Sequence, residues 1–328
     1  MTTAEILSGF SKFSALVVGD ICLDRWCTYD PAASEPSRET GIPRVGVVAT
    51  EVTPGGGGTV ANNLASLKPK SVSVIGARGD DGFGFELEQA LGERGIMANL
   101  MVKIPNWHTF TYTKIINSQT GEEDKPRIDF ISMRPLPESA EKQIIQNLRA
   151  AIPGADAILV ADQAETSSGG VVTPAVRDCL IELAAKFPER IFLVDSRKRV
   201  DQFRNVTVKP NQDEAEAACA TLFGKTDYAR LRESLAAKIL IVTHGPKGAL
   251  IVDAKKETWA KAWPVEKPVD ICGAGDSFAA GTALAMAVTR DPVVSAGIGN
   301  LVASVTVMKK GTGTASREEV LAAEARGR

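Results

Sequence analysis

In the stretch Asp270-Ile271-Cys272-Gly273-Ala274-Gly275-Asp276, a carboxylate stands directly behind a turn of residues with almost no bulk. Gly273, Ala274 and Gly275 let the chain turn tightly and aim successive backbone N–H groups at one point, which makes an anion cradle. From Ser277 to about Thr289 the residues are small or helix-compatible, among them Phe278, Ala279, Ala280, Ala283 and Leu284. The spacing predicts a buried helix whose N-terminus adds partial positive charge to the same point. A carboxylate beside a bound anion suits proton abstraction, with Asp276 as the base. Asp is also a favoured N-cap, and Gly-Ala-Gly before a helix also serves as plain loop chemistry. The turn alone leaves both readings open.

Three other stretches carry chemistry. Val208-Lys209-Pro210-Asn211-Gln212-Asp213-Glu214 places an Asn-x-x-Glu after a strand. Taken alone, that spacing reads as an N-cap with its capping-box partner. Pro54-Gly55-Gly56-Gly57-Gly58-Thr59 feeds a helix with Val60, Leu64 and Leu67 on one face, so backbone there can come close to a ligand. Ser14 to Val18 is a short apolar run ending in Gly19-Asp20, as in a buried parallel strand that opens into a site, and Asp24 follows at its mouth. For Asp24 a solvated turn is an equal alternative. His108 and His244 are the only histidines, and neither has a Ser or Cys nucleophile pattern around it, which disfavours a triad or a two-His metal site.

The elements that must position these residues alternate. Strands are predicted at Ser14–Asp20, Ser71–Gly76, Ala157–Ala161, Ile191–Asp195 and Ile239–Thr243. Helices are predicted at Phe85–Gly95, Thr173–Phe187, Glu214–Phe223 and Asn300–Val307. Such alternation argues an α/β fold with a parallel, doubly wound sheet. The 328 residues hold no low-complexity tract or clean linker, so one domain over 1–328 is expected. A formal net charge of −2 offers no basic field for nucleic acid or an anionic membrane. Five scattered Cys without a C-x-x-C pair suggest neither disulfides nor a zinc site and fit a reducing cytoplasm. No apolar run is long enough to span a bilayer.

Taken together, Asp270 to Asp276 resembles the C-terminal signature of the ribokinase-like (PfkB-type) carbohydrate kinases, in which the last Asp is the catalytic base. The resemblance runs from about Leu16 to Ser316 with its pieces in order. It includes Ala77-Arg78-Gly79-Asp80-Asp81-Gly82 as a family turn and Thr243-His244-Gly245-Pro246-Lys247-Gly248-Ala249 as the family's Thr-x-Gly-x-x-Gly-Ala. It implies a ribokinase-like, mainly parallel sheet with a small β-sheet lid, formed by segments approximately 28–53 and 107–133 over the acceptor. It implies ATP as donor. Asp276 would be the base, and Gly273, Ala274 and Gly275 the phosphoryl cradle. Lys209, Asn211, Glu214, Thr243, Gly245, Gly248 and Asn300 would lie on the nucleotide side, with Glu214 acting on Mg²⁺ through water. Some relatives use a monovalent cation, which would place Asp270 and the Gly311 loop near K⁺.

On the acceptor side the resemblance points to Asp20, Asp24, Gly55, Gly56, Gly57, Thr59 and Asn63. Thr59 departs from the family, which has Asn there; a hydroxyl lacks the amide fork. Asp162-Gln163-Ala164-Glu165 is a second place where an atypical acceptor would show. The spacings Ser37-Arg38-Glu39, Thr111-Tyr112-Thr113-Lys114, Arg127-Ile128-Asp129-Phe130 and Val194-Asp195 are most similar to the kinase part of the ADP-heptose pathway enzymes, which phosphorylate heptose 7-phosphate. That similarity makes Lys114 and Arg127 candidates for an acceptor phosphate and implies a homodimer through the lid. The rivals are a sugar- or nucleotide-sensing relative without turnover, a kinase for a nucleoside or other small alcohol, and a dinucleotide-binding dehydrogenase. The last lacks its G-x-G-x-x-G after the first strand.

Overall fold

The computed structural model describes residues 1–33, 35–164 and 170–327. Among them a nine-stranded sheet runs in the order Glu257–Lys261, Gly248–Val252, Leu240–Thr243, Thr207–Val208, Ile191–Ser196, Ala157–Asp162, Ser14–Gly19, Ser71–Ile75 and Ile96–Met97. All neighbours pair in parallel except at Leu240–Thr243, Gly248–Val252 and Glu257–Lys261, whose two junctions are antiparallel. The expected mainly parallel, ribokinase-like sheet is therefore present.

The central strands are apolar on both faces because both are covered. Ala15, Val17, Leu159 and Leu193 point into one core, shared with the helices Gly57–Ser66, Ala274–Thr289 and Pro292–Thr306. Leu16, Val18, Val160 and Val194 point into the other, against Glu138–Ala151 and Pro174–Lys186. Alternation with period two along a strand buried on both sides produces this split. Each large side chain so buried contributes about 1.5–3 kcal/mol. Ala274–Thr289 is buried all round from Ser277 to Ala287, as its small-residue composition demands.

A second sheet of four strands pairs Val47–Gly56 with Ile21–Tyr29, then Thr111–Asn117, then Ile128–Phe130. This is the lid, and it draws in more chain than its expected segments. Ile21–Tyr29 pairs with Thr111–Asn117 in parallel and with Val47–Gly56 antiparallel, so Asp24 stands on a lid strand rather than in a turn. Within the segment 28–53, Ser34 lies outside the described residues. Among the described residues, no helix is long and apolar enough to cross a membrane.

Sheet topology locates the site. The strand order reverses at Ser14–Gly19, which has Ala157–Asp162 on one side and Ser71–Ile75 on the other. In an open α/β sheet, the crevice beyond the strand ends at such a switch point receives ligands. Asp20, Gln163, Arg197 and Lys209 each lie just past a strand that ends there.

Candidate active site

The crevice is a cavity of about 410 Å³ between the lid and the sheet. Its lid wall follows the strand period. Cys22, Asp24 and Trp26 alternate along one strand, Tyr112 and Lys114 along the next, and Asp129 stands on the third. Register sets Asp24 beside Tyr112, Trp26 beside Lys114, and Tyr112 beside Asp129. The opposite wall is made by Gly56, Thr59, Gln163, Ala164, Arg197, Gly273, Asp276 and Thr312.

Gly273 caps the helix Ala274–Thr289 with φ 76°, a left-handed conformation that favours glycine. Asp276 therefore sits in the helix's first turn and makes no capping bond, although Asp is a good cap. The Ala274 N–H closes the turn onto the Ile271 carbonyl at 3.2 Å. Among the described residues the N–H groups of Gly273 and Gly275 have no partner, so the cradle rests on these two rather than on three successive groups. Asp270 staples the turn: its Oδ1 accepts from Cys272 N at 2.9 Å and its Oδ2 from Gly311 N at 3.0 Å.

Beneath the cradle lies Lys209, only 3% exposed, with its Nζ 2.9 Å from Asp195 Oδ2. A Cβ built on Gly275 would come within 3.8 Å of that Nζ. Burial alone would lower the lysine's pKa, but the carboxylates of Asp195, Glu214 and Asp276 outweigh it and hold Lys209 charged. Burial, with Asp195 alongside, pushes Asp276 up to about 7 against the pull of Lys209 and Arg197. A carboxylate held near neutrality is poised to take a proton.

Asn211 and Glu214 form the capping box that their spacing allowed: Asn211 Oδ1 accepts from Glu214 N, and Glu214 Oε2 accepts from Asn211 N, both at 2.8 Å. Burial raises Glu214 as well, with Asp195 adding to the effect. Three oxygen donors, Asp195, Glu214 and Asp276, thus act on one buried lysine. Among the described residues no three potential ligands converge on a single point. This donor set fits magnesium, a hard cation that keeps most of its waters and needs few direct carboxylates.

The remaining expected nucleotide residues divide. Thr243 joins the group, its N–H donating to the Pro210 carbonyl at 3.0 Å and its strand bridging to Asn211. Gly245 follows in a short 3-10 turn, and Gly248, with φ 99°, begins the strand Gly248–Val252, close against the Ala260 carbonyl of the edge strand Glu257–Lys261. Asn300 is turned away; its amide donates to the carbonyls of Ala260 at 2.9 Å and Lys261 at 3.1 Å.

On the acceptor side, Asp24 and Lys114 have no ion-pair or hydrogen-bond partner among the described residues. Burial pushes Asp24 up to about 6, against Lys114 and Arg127. Gly55 is required beside it, because any Cβ there would overlap the Asp24 carboxylate. Arg127 pairs with Asp129 at 2.6 Å and lies over the Tyr112 ring. Thr59 lines the cavity, but its hydroxyl donates to the Pro54 carbonyl at 3.3 Å, so it offers the acceptor mainly a methyl group. Gly57 packs against Ile21 and Ala161, and Asn63 donates to the Thr59 carbonyl in the core; neither lines the cavity. Asp20, 2% exposed, accepts from the backbone N–H groups of Gln163, Ala164 and Val171 and does not face the cavity. Glu165 lies outside the described residues.

Reading by motif passed over Arg197 and Arg25, and it quoted Asp195 and Gln163 only within longer stretches, without giving Asp195 a role. All but Arg25 stand at or just past the C-terminal end of a predicted strand, which was the available signal.

A profile described as "pfkB family carbohydrate kinase" matches residues 14–319. The bifunctional protein HldE of Trichlorobacter lovleyi is 29% identical over 321 residues, covering 95% of this chain and 63% of that protein. The chain thus spans about 63% of that relative's length. Ribokinase from Thermotoga maritima superimposes with a TM-score of 0.71 at 21% identity, covering 95% of this chain and 99% of that one. Phosphofructokinase-2 from Escherichia coli, in complex with potassium, gives 0.69 at 21% identity over 96% of this chain and 99% of that one. These two structures share the fold.

Proposed function

The chain belongs to the pfkB family of carbohydrate kinases, phosphotransferases with an alcohol acceptor, and we propose that it moves the γ-phosphoryl group of ATP onto a hydroxyl of an anionic sugar, with heptose 7-phosphate as the leading acceptor. The observation that carries this reading is the presence, in one cavity, of a carboxylate and an ammonium, Asp24 and Lys114, that have no side-chain partner among the described residues, with Asp276 on the opposite wall. A carboxylate in that setting takes hydrogen bonds from sugar hydroxyls, and an ammonium takes a phosphate. The similarity to HldE proteins along the whole kinase-length segment supports the acceptor class.

The reaction follows from the groups in place. Asp24 and Lys114 orient the acceptor so that one hydroxyl faces Asp276. As that oxygen forms its bond to the γ-phosphorus, the bond to the β,γ-bridging oxygen breaks and ADP leaves. The hydroxyl proton passes to the Asp276 carboxylate and then to solvent. The Gly273 and Gly275 N–H groups and the Lys209 ammonium stabilise charge on the transferred group. Magnesium, held through water by Glu214 with Asp195 nearby, would neutralise the donor's phosphates. Asp270 positions the turn through Cys272 and Gly311, and no step depends on potassium.

The test is ADP release from Mg-ATP over a panel of heptose 7-phosphate, fructose phosphates, ribose and nucleosides. Turnover is expected on phosphorylated sugars. Lys114→Met should raise their KM by roughly 10- to 100-fold, the loss of one charge-assisted bond, with kcat within about threefold. Preference for ribose or a nucleoside, with Lys114→Met silent, would refute an anionic acceptor. Nucleotide binding without turnover would favour a sensing relative.

The small sheet exposes Val47 (46%), Val48 (61%) and Ile128 (51%). Apolar side chains gathered on one small sheet suit self-association, and a homodimer is expected by sedimentation at micromolar concentration. A monomer that persists there would exclude it.

A further inference from the structure

The cavity has cations on two walls, and they are not equivalent. On the lid wall, Arg25 is tied to Glu86 at 3.0 Å and lies over the Phe83 ring, Arg127 is tied to Asp129, and Lys114 stands ready for an acceptor anion. On the sheet wall there is Arg197, one residue beyond the strand Ile191–Ser196. That same strand end supplies Asp195, which pairs with Lys209 under the cradle. Two residues apart along the chain, one group thus pairs with the buried lysine and the other lines the cavity.

We propose that Arg197 is a further catalytic residue, whose guanidinium contacts the phosphoryl group as it crosses from nucleotide to acceptor. This rests on the kinase reading given above and assigns a group that the family signatures do not cover.

Three observations carry it. First, Arg197 is exposed and lines the cavity that Asp276 and Gly273 also line, whereas Lys209 is buried, does not line it, and acts on the site through its charge from beneath the cradle. Second, the position of its charge is bracketed: it favours the ionised forms of Asp276 and Glu214 on the sheet side and of Cys22 and Tyr112 on the lid side. A cation felt by all four is near the proposed base, the proposed magnesium carboxylate and the acceptor wall, and it lines the cavity in which the transfer takes place. Third, it is steered. Its Nε donates to Gln163 Oε1 at 2.6 Å. The Gln163 N–H donates to Asp20 Oδ2 at 2.9 Å, and Asp20 also holds Ala164 and Val171. A buried carboxylate with three N–H donors is costly to rearrange, so Asp20 acts here as a positioning residue that fixes the segment aiming Arg197. A planar guanidinium matches phosphoryl oxygens better than an ammonium and keeps its charge throughout.

The experiment compares wild type, Arg197→Met, Arg197→Lys and Gln163→Leu by steady-state ADP release on the panel's best acceptor. MgADP affinity by calorimetry and thermal melting are measured alongside. Arg197→Met is expected to lower kcat by about 10²- to 10³-fold, as for loss of one preorganised charge-stabilising donor. The acceptor KM and MgADP affinity should stay within about threefold and melting should be unchanged. Arg197→Lys should recover part of the rate, and Gln163→Leu should lose about tenfold in kcat through misorientation. Unchanged kcat in Arg197→Met overturns the inference and leaves the kinase standing. A rise in acceptor KM alone also overturns it, making Arg197 an acceptor anchor. Wild-type protein that turns over no acceptor and hydrolyses no ATP would remove the kinase reading and this inference with it.

Discussion

Asp276→Asn is expected to lower kcat by about 10³- to 10⁴-fold while MgADP binding stays within a few-fold of wild type. The helix start that presents Asp276 is built by Gly273 and by the staple from Asp270 to Cys272 and Gly311, none of which the substitution touches. What it removes is the only proposed acceptor for the hydroxyl proton. The same group should set the pH profile. Because burial and Asp195 push Asp276 up to about 7, kcat should fall about tenfold per pH unit below that value, as the base becomes protonated. The stability effect has the opposite sense. A carboxyl whose folded pKa lies above its ordinary value near 3.8 contributes its full stability below that value and loses it as pH rises through about 7. At pH 8 the Asn variant should therefore melt no lower than wild type. Near-normal turnover in Asp276→Asn would refute the base assignment. A loss of rate accompanied by a large drop in melting temperature would trace it to misfolding.

Lys209→Met should be the most damaging substitution for stability, costing about 2–4 kcal/mol by chemical denaturation. The ammonium is 3% exposed, so its removal leaves Asp195 without its paired cation and facing Glu214 and Asp276, with Arg197 the remaining positive charge that acts on those two. Repairing the charge should repair much of the fold: Lys209→Met combined with Asp195→Asn is expected to be more stable than Lys209→Met alone, a coupling that only a direct pair produces. The two single variants should also move the acid limb of kcat in opposite directions. Losing Lys209 removes a charge that lowers the pKa of Asp276, so the limb rises. Losing Asp195 removes one that raises it, so the limb falls. A purely structural pair would shift neither limb, and limbs that move together would sink the electrostatic account.

Much of the framework was legible along the chain because it depends on local pattern. Apolar runs such as Leu16–Val18 and Ile158–Val160 have the period and the flanking turns of strands buried on both faces, and the structure places them there. Gly273-Ala274-Gly275-Asp276 announced a tight turn into a helix because so little side-chain bulk permits little else. Asn211 and Glu214 show the limit of such reading. Their spacing allowed a capping box, and the family resemblance implied a magnesium role; the box is formed, and the burial of Glu214 that keeps the second role available is a property of the packed molecule.

Composition, periodicity and motif order determined the α/β class, the sheet's mainly parallel character, the tight turn into the helix at Gly273 and the family. Each of these is a short-range consequence of residue type, repeated often enough to be read without knowing what lies across the sheet. Tertiary structure decided the rest, because charge and access depend on neighbours that are far apart in the chain. It turned Asp20 inward to hold Gln163, sent the amide of Asn300 to Ala260 and Lys261, and turned the Thr59 hydroxyl onto Pro54. It left Asp24 and Lys114 unpartnered on a lid whose register no local pattern dictates, and it brought Asp195, Lys209 and Arg197 to the same strand ends as Asp276. A carboxylate becomes a base near neutral pH only when packing removes its water and supplies its neighbours, and those neighbours here come from residues nearly 70 and more than 80 positions away.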